Sequence, residues 1–180
     1  IMANISQKYA QALYDVAEAQ DLTDSVLDEL TQVAESVKEQ ISDLKAIDNN
    51  PKLAKNDRQQ FVDNVFKGAS KPLLNTLYLL ANNSKLSLIP EIHKDFSKIY
   101  NQVHSQDLMK VESVYPLSNE ELDEIGKAFI KRTGLKKLIL ENQVNDSLIG
   151  GIRVSIGTKV YDGSIQNDLN QLAKSFQQMK

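Results

Sequence analysis

The chain has 180 residues, 41% of them hydrophobic and 25% charged, so it is predicted to fold around a core rather than remain disordered. It contains no cysteine, which excludes disulfides, thiolate metal sites and cysteine nucleophiles. The net charge is −3 and no basic stripe runs along the sequence, so we expect no nucleic-acid partner. The longest apolar run, Leu77 to Ala81, is far too short to span a bilayer.

The first part of the chain has a helical pattern almost throughout. Apolar residues recur every three or four positions in six segments, which predicts six helices. Thr23 is a plausible cap for the second helix. The segments are centred on Ile5–Val16, Val26–Val37, Ile41–Ile47, Phe61–Phe66, Pro72–Asn83 and Ile92–Val103. Because the connections are short, we expect neighbouring helices to pack as a bundle.

The pattern changes after residue 104. Apolar and charged residues alternate over 109–112, which predicts a strand with one buried face. Ser118 is followed three residues later by Glu121, a capping-box pattern that opens a helix ending at Gly134. A second strand is predicted over 138–140. The predicted fold class is therefore α+β.

The most specific segment is 148–164, with the sequence Leu-Ile-Gly-Gly-Ile-Arg-Val-Ser-Ile-Gly-Thr-Lys-Val-Tyr-Asp-Gly-Ser. Its alternation predicts two strands joined at Gly157-Thr158, a turn whose first central residue takes a positive φ. A closing helix is predicted over 165–176, capped by Asp162 or Ser164. The structural motif residues are Gly150, Gly151, Gly157, Asp162, Gly163 and Ser164.

These elements predict two domains. Residues 1–104 would form a six-helix bundle, and residues 105–180 a small α/β domain with a β-hairpin and a C-terminal helix. The boundary is expected to be accurate to within several residues.

The residue types that serve in catalysis or in metal binding are not spaced in the sequence as such sites require. His93 and His104 lie eleven residues apart on one predicted helix, too far apart to share a metal ion. The order Gly157-Thr158-Lys159 differs from a phosphate loop, and a strand follows it. We therefore predict no catalytic, metal or cofactor-binding residues. The local basic cluster at Lys131-Arg132 and Lys136-Lys137 is interpreted as a solvated helix end.

Two helices carry more apolar surface than one core contact requires. The first has a stripe of Ile5, Tyr9, Ala12, Leu13 and Val16, with Ala10, Tyr14 and Ala17 away from it. On the fifth, Leu79 projects apart from Leu73, Leu77, Leu80 and Ala81. The surplus predicts either a groove for a partner helix or two central helices contacted on several sides. A helical wheel alone does not decide which stripe faces inward.

Several motifs resemble one family. They are Tyr9-Ala10-x-Ala12-Leu13, Ala81-Asn82-Asn83-x-x-Leu86, Tyr115-Pro116-Leu117-Ser118, Leu148-Ile149-Gly150-Gly151 and Asp162-Gly163-Ser164. From end to end the chain resembles the δ subunits of bacterial F-type ATP synthases, whose mitochondrial counterpart is the oligomycin-sensitivity-conferring protein. Residues 165–168 depart from the family, which often has a basic pair there.

The resemblance implies a non-catalytic peripheral-stalk, or stator, subunit without a cofactor, at the cytoplasmic face of the bacterial cell membrane. Its helical domain would hold the N-terminal helix of an α subunit between its first and fifth helices, and its second domain would contact the b subunits. The implied groove residues are Tyr9, Ala12, Leu13, Asn75 and Leu79. The alternative hypothesis is a small cytosolic enzyme or ligand-binding protein with a pocket between its domains.

Overall fold

The computed structural model describes residues 4–162, and the first part of this range is helical. The helices are α1 Ile5–Ala19, α2 Thr23–Val37, α3 Ile41–Asp48, α4 Lys55–Val65, α5 Lys71–Asn82 and α6 Ile89–Val103. Short 3₁₀ turns at Lys38–Gln40 and Leu86–Leu88 lead into α3 and α6. Pro72 and Pro90 lie in the first turns of α5 and α6, where a missing N–H leaves no hydrogen bond unmade.

The second part combines one helix with a four-stranded sheet. Its elements are β1 Gln106–Ser113, α7 Asn119–Thr133, β2 Lys137–Val144, β3 Ile152–Ile156 and β4 Lys159–Asp162. The strand order is β2-β1-β3-β4; β1 and β2 are parallel, and the other two pairs are antiparallel. Helix α7 makes the long connection that parallel strands require. The fold is therefore mixed α+β.

The chain divides into two compact units between Tyr100 and Asn101, a few residues before the predicted boundary. Each unit has its own hydrophobic core. In the first, buried leucines of α5 share one core with buried residues of α1, α2, α4 and α6. In the second, Met109 and Val111 of β1 pack with Ile125 and Phe129 of α7, because alternate strand residues face the helix.

The capping box, the helix end and the hairpin turn that the sequence predicts are all present in the second unit. The Glu121 N–H donates to Ser118 Oγ at 3.2 Å, and the Ser118 N–H donates to Glu121 Oε2 at 2.8 Å, which completes the capping box. Gly134 ends the helix with φ 73°. Gly157 has φ 57° in the two-residue turn between β3 and β4. Both the capping box and the hairpin turn are thereby confirmed.

Three expectations differ from the structure or lie outside it. Thr23 is not a cap, since α2 begins at that residue and Leu22 precedes it without a side-chain bond. Strands β1 and β2 are longer than predicted because their pairing continues through residues without clear alternation. Gly163, Ser164 and the C-terminal helix of 165–176 lie outside the described residues.

Two nearly buried charged side chains tie α3 and α4 to the end of α5. Asp48 accepts hydrogen bonds from the N–H groups of Leu86 and Ser87, each at 2.9 Å. Arg58 donates to the carbonyl oxygens of Asn50 at 3.0 Å and Ala81 at 3.4 Å. Because Ala81 lies in the last turn of α5 and Leu86 and Ser87 follow that helix, these bonds connect the C-terminal end of α5 to α3 and α4.

Candidate partner-binding face

One face of helix α1 is buried in the first unit. Its buried residues are Ser6, Ala10, Leu13, Tyr14 and Ala17. The Tyr14 ring lies 5.5 Å from the ring of Phe96, between centroids, and Ser6 Oγ donates to Asp95 Oδ2 at 2.6 Å. Both partners belong to α6. The inward face of α1 is therefore the one with Ala10, Tyr14 and Ala17, which decides the question that the helical wheel left open.

One stripe of the outward surface of α1 is apolar. Ile5 and Val16 are each 46% exposed, and Ala12 between them is also exposed. With the half-buried Tyr9 they follow the spacing i, i+4, i+7, i+11, which places all four within one narrow stripe. At 1.5 Å per residue this stripe is about 16 Å long.

Helix α5 borders this stripe. Its buried residues are Pro72, Leu73, Leu77, Leu80 and Ala81, whereas Leu79 is 54% exposed and Asn75 is also exposed. Asn83 Nδ2 donates to Tyr9 Oη at 2.8 Å, so the stripe of α1 meets the C-terminal end of α5. Leu79 lies one turn before Asn83 on the same side of the helix. We call the half-buried Tyr9 and the exposed residues Ile5, Ala12, Val16, Asn75, Leu79 and Asn83 together the α1–α5 face.

Leu13 does not belong to this face. It is only 2% exposed and lies in the core of the first unit. It follows Tyr9 by one turn but points further toward the interior, because four residues advance slightly more than one turn. The prediction that Leu13 lines the groove is therefore wrong for the free chain. Leu13 packs in the core below the α1–α5 face.

Three residues of the α1–α5 face were missing from the predicted site. Ile5 and Val16 extend the stripe in both directions, and Asn83 joins it to α5. The signal for Ile5 and Val16 was present in the sequence, since they continue the spacing of Tyr9 and Ala12. Asn83 could be recognised only from its contact with Tyr9, which is 74 positions away in the chain.

The α1–α5 face carries little charge. Helix α5 contains a single charged residue, Lys71. On α1, Lys8 and Asp15 lie one turn either side of Ala12, at the border of the stripe. The face can therefore bury apolar side chains at low desolvation cost, because no unpaired charge would be removed from water with them.

Three tyrosines of the first unit, Tyr14, Tyr78 and Tyr100, have a raised pKa. A hydrogen bond to Asp24, at 2.6 Å, raises the pKa of Tyr100 to about 12. A hydrogen bond to Asp63 likewise raises the pKa of Tyr78, and burial raises that of Tyr14. The hydroxyls of Tyr78 and Tyr100 donate hydrogen bonds between helices, which is a structural role.

The structure adds two findings over residues 4–162. Within this range, no three His, Cys, Asp or Glu side chains are grouped closely enough to hold a metal ion. None of the helices described has the length and apolar character that crossing a membrane requires. Of the motif residues, Gly150 and Gly151 adopt positive φ angles before β3, and Asp162 is the last residue of β4.

Comparison with known proteins gives a consistent result. The family model for the ATP synthase delta (OSCP) subunit matches residues 5–176. The ATP synthase subunit delta of Staphylococcus carnosus strain TM300 is 50% identical over 97% of this chain and 98% of that protein. The corresponding subunit of Macrococcus caseolyticus strain JCSC5402 is 51% identical, also over 97% and 98%.

A solved structure shares the fold. One chain of the mitochondrial ATP synthase hexamer of Toxoplasma gondii aligns with a TM-score of 0.68, over 97% of this chain and 98% of that chain. Its sequence is 18% identical, so this likeness supports the fold alone.

Proposed function

The chain belongs to the ATP synthase delta (OSCP) family, and we propose that it ties the catalytic head of an F-type ATP synthase to the b subunits. It is a non-catalytic subunit of the peripheral stalk and takes part in ATP synthesis and proton transport through the complex. Its task is mechanical: a stator must keep the head from turning with the rotor. Two firm binding surfaces are sufficient for that task, and no reacting group is required.

The helical domain, residues 1–104, binds the N-terminal helix of an α subunit on the α1–α5 face. The observation that carries this proposal is the exposure of Ile5, Val16 and Leu79 on two adjoining helices. A monomer gains nothing by leaving such a stripe in water, whereas an amphipathic partner helix would cover it. The partner would lay apolar residues spaced by three and four positions along the stripe.

A stator contact must bind its partner tightly, which sets a requirement on the face. Nanomolar binding requires about −12 kcal/mol, and a standard interface buries about 800 Å² per partner. Since area alone does not ensure affinity, a few central anchors must carry most of it. Tyr9 and Leu79 are the anchors we propose, because they are the largest side chains of the face near its centre.

The second domain, residues 105–180, contacts the b subunits and so completes the connection. The arrangement we propose is a six-helix bundle followed by a small α/β domain with a β-hairpin. In the assembled synthase, the chain would lie at the cytoplasmic face of the bacterial cell membrane and reach that membrane only through the complex.

The substitution Ala12→Asp tests the helix-binding role. It places a charge at the middle of the apolar stripe, where bound partner atoms would bury it without a counter-ion. We expect the affinity for a peptide of the α-subunit N-terminus, measured by calorimetry, to fall by about 2–4 kcal/mol. The thermal unfolding midpoint should be almost unchanged, because Ala12 is exposed in the free chain.

Ala46→Asp is the matched control, since Ala46 is an exposed alanine on α3, outside the α1–α5 face. This control should bind the peptide with the affinity of the unmodified chain. Equal affinities for the Ala12→Asp and Ala46→Asp variants would refute the assignment of the face.

A further inference from the structure

Five cationic side chains surround the connection between α7 and β2. They are Lys127, Lys131, Arg132, Lys136 and Lys137, all of them exposed, and we call them the α7–β2 basic patch. The sequence has no Asp or Glu between Ile125 and Leu140. Over residues 4–162, the basic residues in ion pairs are Lys38 and Arg153, so the patch has no carboxylate partner there.

The stability of the fold explains only part of the patch. Lys131 and Arg132 lie in the last turn of α7, where cations interact favourably with the helix dipole. The Arg132 guanidinium also lies 5.4 Å from the centre of the Tyr161 ring. Lys127 lies before that last turn, and Lys136 and Lys137 follow the end of the helix. The interpretation as a solvated helix end therefore accounts for two of the five charges, and no contact within residues 4–162 explains the other three.

An apolar pair lies beside the patch on the open face of the sheet. Leu108 of β1 and Ile139 of β2 are paired in register, and they are 43% and 39% exposed. Their neighbours Met109 and Leu138 point to the opposite face, toward α7. Lys137 shares the side of Ile139, since alternate residues of a strand face the same way. A partner at this corner would meet both cations and apolar side chains.

The distribution of charge along α7 limits the shape of that partner. The first half of the helix carries Glu120, Glu121, Asp123 and Glu124, and the second half carries the cations. The helix is about 22 Å long, so a broad anionic surface laid along it would also meet the four carboxylates. A lipid surface or a nucleic-acid backbone would be repelled there. A short acidic polypeptide segment can bind the cationic half alone.

We propose that the α7–β2 basic patch is the docking site for an acidic, partly apolar segment of a b subunit. This rests on the proposed function, in which the second domain contacts the b subunits. Carboxylates of that segment would pair with Lys127, Lys136 and Lys137, and its apolar side chains would cover Leu108 and Ile139. Electrostatic attraction would speed the association of the two proteins, and the affinity would fall as the salt concentration rises.

The test is a titration of the full chain with the purified soluble part of the b subunit of the same synthase, at low and at high salt. The triple variant Lys127→Glu, Lys136→Glu, Lys137→Glu should bind roughly tenfold more weakly at low salt and should lose most of the salt dependence. The triple variant Lys52→Glu, Lys55→Glu, Lys67→Glu is the matched control. It changes the net charge equally at exposed lysines of the first unit and should bind normally.

The possible outcomes separate this inference from the proposed function. If both triple variants bind the b subunit equally well, the patch is not the docking site, although the stator role stands. If the unmodified chain does not bind the b subunit, the proposed function fails and this inference fails with it. Lysine-dependent binding to anionic vesicles, or lysine-dependent self-association at low salt, in place of b-subunit binding would overturn the choice of partner.

Discussion

Helices α1 and α7 have the same length of 15 residues, yet they expose opposite kinds of surface. Helix α7 is stabilised by its own sequence: a capping box opens it, Gly134 closes it, acids lie in its first turn and bases in its last. Helix α1 has no acid in its first turn and no base in its last. At its start the Asn4 N–H donates to Gln7 Oε1 at 3.3 Å, and along its length Ser6 and Tyr14 contact α6 while Tyr9 contacts Asn83 after α5.

The difference shows which exposed surfaces call for a partner. Local helix physics explains much of the outer surface of α7, because charges sorted by sign complement the dipole. Nothing among residues 4–100, the described part of the first unit, explains why α1 exposes Ile5 and Val16. The apolar stripe of α1 is therefore the stronger indication of recognition, and the unexplained lysines near α7 are the weaker one.

The largest expected effect separates the two faces of α1. Leu13→Ala should lower the free energy of unfolding by about 3 kcal/mol, because it leaves a cavity in the core. Val16→Ala, one turn away and 46% exposed, should lower it by only about 0.5 kcal/mol or less. Urea unfolding of both variants measures the difference. Similar losses would mean that the outward stripe of α1 also stabilises the isolated chain.

A smaller effect tests the local stability of α7. Ser118→Ala removes the side-chain acceptor of the Glu121 N–H and should cost the second unit about 1 kcal/mol. Hydrogen exchange of α7 amides reports this loss directly. Ser42→Ala, at an exposed position of α3, should leave exchange in α7 unchanged. If Ser118→Ala also leaves α7 unchanged, the helix depends on packing as α1 does.

The smallest expected effect is a pH dependence of stability that arises from His93 of α6, the helix that Ser6 and Tyr14 of α1 contact. His93 of α6 lies 3.0 Å from Thr31 Oγ1, measured to Nε2, and burial lowers its pKa from the usual 6.5. The neutral form is then favoured in the folded state, so its contribution is present above pH 6.5 and is lost as the pH falls through the lowered pKa.

Acidification below pH 6.5 should therefore destabilise the first unit slightly more in the unmodified chain than in a His93→Gln variant. Thermal unfolding of both proteins across this pH range measures the difference in slope. Parallel slopes would show that His93 titrates alike in the folded and unfolded chains.

The sequence predicted the elements that depend on neighbouring residues. Six helices, the capping box at Ser118 and the turn at Gly157 all depend on signals only a few positions long, and the structure contains each of them. The turn could be recognised because few residues other than glycine adopt its backbone angles.

Features that depend on distant contacts could not be predicted in this way. Both sides of α1 are apolar, so the contacts of Tyr14 and Ser6 with α6 decide which side is buried, and Leu13 was misplaced for that reason. The bonds of Asp48 to the backbone after α5 span 38 positions and more, and no sequence pattern indicates them. The α5 side of the binding face is positioned by such contacts.

The most direct test of the central claim is an NMR titration of the full chain with the α-subunit N-terminal peptide. The account predicts that backbone amide shifts change most along Ile5–Val16 of α1 and Asn75–Asn83 of α5, with little change in the second unit. Saturable binding whose largest changes fall elsewhere, with α1 and α5 unaffected, would contradict it.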